Sequence, residues 1–174
     1  VNTALVAESF LRHEPAEGTT AHLVSIQRDP GLAATLEGTL GAVQLRYHSL
    51  QLIPVDLVDD LPGIWNALLD AVDGFLAEGR AEVPYPTLEA QILLERSGNL
   101  TKFTAGKVRH IVDAGELVDG ILDGAEAYFG FAPAADPAAT GNIERLRTRA
   151  AAAGLCAQGE RASKPSAPGR SLGT

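Results

Sequence analysis

The chain has one cysteine, no methionine, one tryptophan and few other aromatic residues. A single thiol, Cys156, makes no internal disulfide and no cysteine-based zinc site, so neither a secreted disulfide scaffold nor a zinc module is indicated. So few aromatic rings exclude broad platforms for stacking on bases or sugars. No apolar run approaches the roughly 18 residues that span a bilayer, and the first residues lack a basic-then-apolar leader pattern. No membrane partner is expected, and the cytoplasm is the default compartment. Because the chain opens on Val1 rather than Met, its native start is left open.

Catalytic signatures are also missing. No G-x-G-x-x-G or G-x-x-x-x-G-K stretch follows a strand, no G-x-S-x-G elbow occurs, and no H-E-x-x-H or H-x-H spacing is present. The four histidines, His13, His22, His48 and His110, fall in four separate strand candidates. His13 and His22 would face each other across a first hairpin. No catalytic residue and no cofactor is assigned, and the reading leans away from an enzyme.

What is present is an aliphatic core and a lopsided charge. The formal charge is −8 over 174 residues, and Arg outnumbers Lys. Residues 1–132 hold 19 acids against eight Lys and Arg, whereas residues 133–174 hold three against six. An acidic body repels phosphate backbones, which argues against nucleic acid and favours a basic protein as partner.

Period-2 patterning predicts strands at Leu5–Arg12 and Ala21–Gln27, and a long one at Ala42–Ile53 with a bulge or bend near Ser49. Asp60 reads as an N-cap with Pro62 in the first turn. An apolar stripe from Leu61 through Trp65 and Leu68 to Phe75 then predicts a helix closed by Gly79. Two prolines flank Tyr85 and force an extended segment. Thr87–Arg96 and Leu100–Val112, the latter interrupted near Ala105-Gly106, follow as a strand pair around Ser97-Gly98-Asn99. Asp113 and Glu116 fit a capping box before a second helical stripe, Leu117 to Phe129. An offset of 53 residues superposes the two N-cap aspartates. The expected fold is therefore α+β: an antiparallel sheet with two helices on one face, and a duplicated ββα unit as the alternative to chance likeness.

Residues 133–174 read as an Ala/Pro/Arg-rich tail, largely disordered, with a short helix over Ile143–Ala153. Its Arg145, Arg147 and Arg149 form a positive stripe able to fold back on the acidic body.

Three binding features emerge. Asp56, Asp59 and Asp60 cluster before the first helix, as a seat for a hard cation or basic side chains, or simply as caps. Asp119 and Asp123, one turn apart, together with Asp70, Asp73 and Glu126, give acidic helix faces. Tyr85, with Trp65 and Tyr47, is placed to line a pocket between sheet and helices. The leading expectation is an acidic protein-binding module; in style, though on no motif, it resembles immunity proteins that neutralise secreted toxins. The alternatives are a small-molecule-binding domain or enzyme with that pocket, and a structural subunit forming a homodimer through an open sheet face.

Overall fold

The computed structural model describes residues 5–15 and 20–155. Cys156 and the expected disordered stretch beyond it lie outside the described residues. The α+β class holds, but the strands divide into two antiparallel sheets rather than one.

The first sheet is built from β1 (Leu5–His13), β2 (His22–Ser25), β3 (Leu40–Tyr47) and β4 (Leu50–Ile53), in the order β2-β1-β3-β4. A four-residue helix, α1 (Pro30–Ala33), capped by Asp29, lies between β2 and β3. The short β5 (Asp59–Asp60) also pairs with β3. The predicted single strand Ala42–Ile53 is instead a hairpin: Tyr47 pairs with Leu50, and the chain reverses through His48 and Ser49. His48 sits at φ 52°, the left-handed region that a side chain disfavours. The bulge or bend expected near Ser49 is thus a full chain reversal.

After β5 comes α2 (Leu61–Glu78), ended by Gly79 at φ 74°. The second sheet is a meander of β6 (Arg80–Pro84), β7 (Gln91–Ser97), β8 (Leu100–Ala105) and β9 (Val108–Asp113). Gly98, at φ 65°, makes the two-residue turn between Ser97 and Leu100 that the sequence announced. Then α3 (Ala114–Phe131) begins, capped by Asp113, and α4 (Ala139–Ala152) closes the described chain.

The 53-residue correspondence extends to the helix ends: α2 and α3 both have 18 residues and start 53 apart. In each half the N-cap aspartate ends a strand opposite a leucine, Asp60 against Leu40 and Asp113 against Leu100. The likeness is confined to the last strand pairing and the helix of each half, since β1 to β5 and α1 precede α2 whereas β6 to β9 precede α3.

One buried cluster joins both units. The helices cross over: α3 lies on β1, and α2 lies on β6 and β7 as well as β3. Trp65 of α2 is fully buried and donates from Nε1 to Ser9 Oγ of β1 at 3.0 Å. The approach of α3 depends on two glycines. A Cβ on Gly120 would fall 2.0 Å from a Leu5 methyl, and one on Gly124 would fall 2.4 Å from Ala7 Cβ and 2.5 Å from the Trp65 ring. Outward, the second sheet carries Arg80, Glu95 and Lys102 in one cross-strand row, and Glu82 and Arg109 in the next. The first row ends on exposed Ile111, so this face mixes charged and apolar side chains.

Gly124→Ala should therefore destabilise the protein by roughly 1–3 kcal/mol through overpacking, despite alanine's better helix propensity. Gly130→Ala, where nothing lies within 4 Å, should stabilise it by up to about 1 kcal/mol. Urea denaturation of both variants measures the contrast.

Candidate functional site

The three aspartates before α2 do different work. Asp56 is exposed. Asp60 caps α2, accepting from the Gly63 amide at 2.9 Å and from Thr39 Oγ1 at 2.6 Å. Asp59 is 1% exposed and accepts from the amides of Asp60, Thr87 and Leu88 and from Thr87 Oγ1. Burial alone would raise its pKa, but these four donors outweigh it and hold the carboxyl below its ordinary range. Asp59 thus ties the start of α2 to the crossover after Tyr85, which is why β7 begins at Gln91 rather than at Thr87. Among the described residues no group of three or more His, Cys, Asp or Glu is placed to hold a metal.

None of the three aromatic residues lines the clefts described below. Trp65 is enclosed by the core. Tyr85 is buried, with its hydroxyl unpartnered, and its pKa is pushed far up by burial and by the charges of Asp59 and Asp56. Tyr47 donates to Glu116 at 2.6 Å, which raises the phenol's pKa. Glu116 therefore serves α3 through Tyr47, while Asp113 accepts from the Glu116 amide at 3.0 Å. His13 and His22 do face each other, in register and with ring centroids 4.9 Å apart.

The clefts lie elsewhere. One of about 310 Å³ is walled by Leu11, Leu36, Tyr128, Phe131 and Ala132. Across Leu36 and Gly38 is a second, of about 330 Å³, reached by Arg12, His13, Thr35 and Glu37.

The charged residues converge instead on the outer ridges of α2 and α3. Composition placed residues 133–174 in a tail, but α4 buries Ala139, Ile143, Leu146 and Ala150 against these two helices. Beyond it Leu155 is 8% exposed, its carbonyl oxygen 3.0 Å from where a Cβ on Gly115 would sit. The body therefore continues through Leu155, and α4 runs back along α3. Its arginines bracket the apolar row. Arg145 and Arg149 both pair with Asp73 of α2, and Arg147 pairs with Asp123 and Glu126 of α3, at 2.7 Å each. The two carboxylates outweigh the partial burial that disfavours the Arg147 charge. Asp119, half-buried, lies one turn before Asp123, and exposed Asp70 lies three residues before Asp73. The sequence identified both the acidic ridges and the basic stripe. It could not identify their register, which depends on how closely α2 and α3 approach.

A second polar cluster was invisible to sequence reading. Glu8, only 7% exposed on the outer face of β1, accepts from Ser25 Oγ at 2.6 Å and is held by both Arg28 Nε and Nη2 at 2.7 Å. Nothing in the alternation of β1 distinguishes Glu8 from an ordinary solvated position. The pair clamps the end of β2 onto β1.

No protein family, curated protein or solved structure matches this chain.

Asp59→Asn should cost roughly 2–4 kcal/mol, because a neutral amide replaces a carboxylate serving buried donors. The folded pKa of Asp59 lies below its unfolded value. Its stabilisation is therefore complete above about pH 4 and is lost as pH falls toward the folded value. Urea midpoints measured from neutral to acid pH should fall less steeply for Asp59→Asn than for the wild type.

Proposed function

We propose that this protein is a binding module whose acidic α2–α3 face engages a basic protein. The observation that carries the reading is the fit of α4: three arginines on one helix each meet a carboxylate, on two different helices, around an apolar row. A surface that positions guanidinium groups on both of its margins is built to select positive charge. Asp70 remains exposed there and adds to the field that steers a basic partner, while the charge of Asp123 is shared with Arg147. The acids buried at helix starts, Asp59 above all, contribute folding rather than recognition.

The cleft walled by Leu11, Leu36, Tyr128 and Phe131 favours a second reading, a small-molecule site between sheet and helix. Its walls are mostly apolar, and the Tyr128 hydroxyl is pushed up to about 12 by burial and the nearby Asp60, so it stays protonated as a donor.

The first reading is tested with the full chain as bait, comparing wild type with an Asp70→Lys, Asp123→Lys double variant at low and high salt. The expected outcome is a basic protein bound by wild type, released by salt and missing from the variant, whose melting temperature shifts by no more than a few degrees. Identical capture by both baits would remove the acidic face from the function.

A further inference from the structure

Resting on that reading, we infer that the groove between α2 and α3 is a receptor site for a basic amphipathic helix of another protein, and that α4 is its exchangeable occupant within the chain.

The seat of α4 defines the partner's chemistry. Taking Ile143 as position i, apolar side chains enter the groove at i, i+3 and i+7, as Ile143, Leu146 and Ala150. Arginines stand at i+2 and i+6 toward α2, as Arg145 and Arg149, and at i+4 toward α3, as Arg147. That pattern places one apolar ridge between two cationic margins, matched to a trough with acids on both rims.

The apolar row of α4 belongs to the buried cluster, and three observations argue that it is nonetheless the part most readily exchanged. First, among the described residues the packing that holds it comes chiefly from α3 and α2, with no comparable contact from either sheet. Second, the cap positions of α1, α2 and α3 are aspartates bonded to a first-turn amide, whereas that of α4 is Ala138, and Asp136 reaches only the Ala138 amide ahead of the first turn. Third, its ion pairs lie at the surface, the arginine side chains 35–48% exposed, so each adds little holding strength. A short connector with Pro133 and Pro137 keeps α4 beside the groove at an effective concentration on the order of millimolar. A partner helix of the same pattern, with larger apolar residues or more arginines, would displace it.

The test uses a fluorescent peptide of residues 137–155 titrated into the full chain and into its Leu146→Asp variant, which loosens α4. The expected result is weak binding to wild type, where α4 competes, and at least tenfold tighter binding to the variant. That binding should weaken steeply with salt, and a peptide with glutamate at all three arginine positions should not bind. Native-state hydrogen exchange on the wild-type chain gives an independent reading that needs no variant. There, α4 amides should exchange at least tenfold faster than the core amides of α2 and α3. A variant that keeps its sheet amides protected yet binds the peptide no better than wild type would overturn the inference. So would α4 amides as protected as those of α2 and α3, and this second criterion decides the matter if the variant fails to fold. A negative result here, with salt-sensitive capture still dependent on Asp70 and Asp123, would leave the binding-module reading standing, with a partner that meets the acidic rims without displacing α4.

Discussion

The indole of Trp65 is the piece on which the other elements are assembled. It projects from α2, hydrogen-bonds to Ser9 on β1 and lies against the backbone of α3 at Gly124. Burying so large a ring is strongly favourable, and satisfying its N–H removes the one polar penalty of doing so. The same contact fixes how far α3 stands from β1 and from α2. A side chain at Gly124 or Gly120 would push α3 outward, so these helical glycines have a packing reason that outweighs their poor propensity. The spacing of α2 and α3 in turn sets the width of the trough in which α4 sits. A constraint in the deepest layer is thereby transmitted to the outermost one.

Negative charge in this molecule falls into two populations with different physics. Asp59, Asp60 and Asp113 terminate strands and open helices, where unpaired backbone amides concentrate. Their carboxylates are consumed by those donors, and the net charge they add is incidental. Asp73, Asp123 and Glu126 lie on exposed ridges and have no backbone group to serve. Their partners come from α4, which is basic where the body is acidic. Glu8 belongs to neither group: it is a strand residue whose charge Arg28 and Ser25 satisfy sideways.

Much of this architecture was legible in the chain because the signals were local. Caps at Asp60 and Asp113, the glycine ending α2, and the turn at Gly98 each rest on a few adjacent residues whose chemistry admits one main conformation. The failures occurred where local signals are silent. Tyr47-His48-Ser49-Leu50 carries no turn glycine, so its reversal, with His48 in a left-handed conformation, reads only as a bulge or bend. The division into two sheets arises from pairings between distant strands. The role of α4 was hidden by an alanine- and arginine-rich composition that resembles a solvated tail, because the few apolar residues it needs are only those that reach the trough. The helix positions of the acids were legible, but the groove between the two helices is a tertiary object.

The interface between α4 and the helix pair divides affinity from selection. Ile143 and Leu146, fully or nearly fully buried, supply most of the attraction, at roughly 1.5–3 kcal/mol for each large side chain removed from water. The partly exposed ion pairs add a fraction of that and are weakened further by salt. Their effect lies in what they reject: an acidic or neutral helix with the same apolar row would leave Asp73 facing Asp123 and Glu126 without compensation across a narrowed dielectric gap. Apolar burial alone would accept almost any amphipathic helix. Adding carboxylates on both rims restricts the choice to helices bearing cations on both sides of the ridge. That restriction costs little while α4 occupies the site, because its arginines neutralise the rims and the body folds without concentrated like charge. Removing α4 exposes an apolar trough and uncovers the repulsion at the same moment, so the vacated groove attracts a basic helix for two independent reasons.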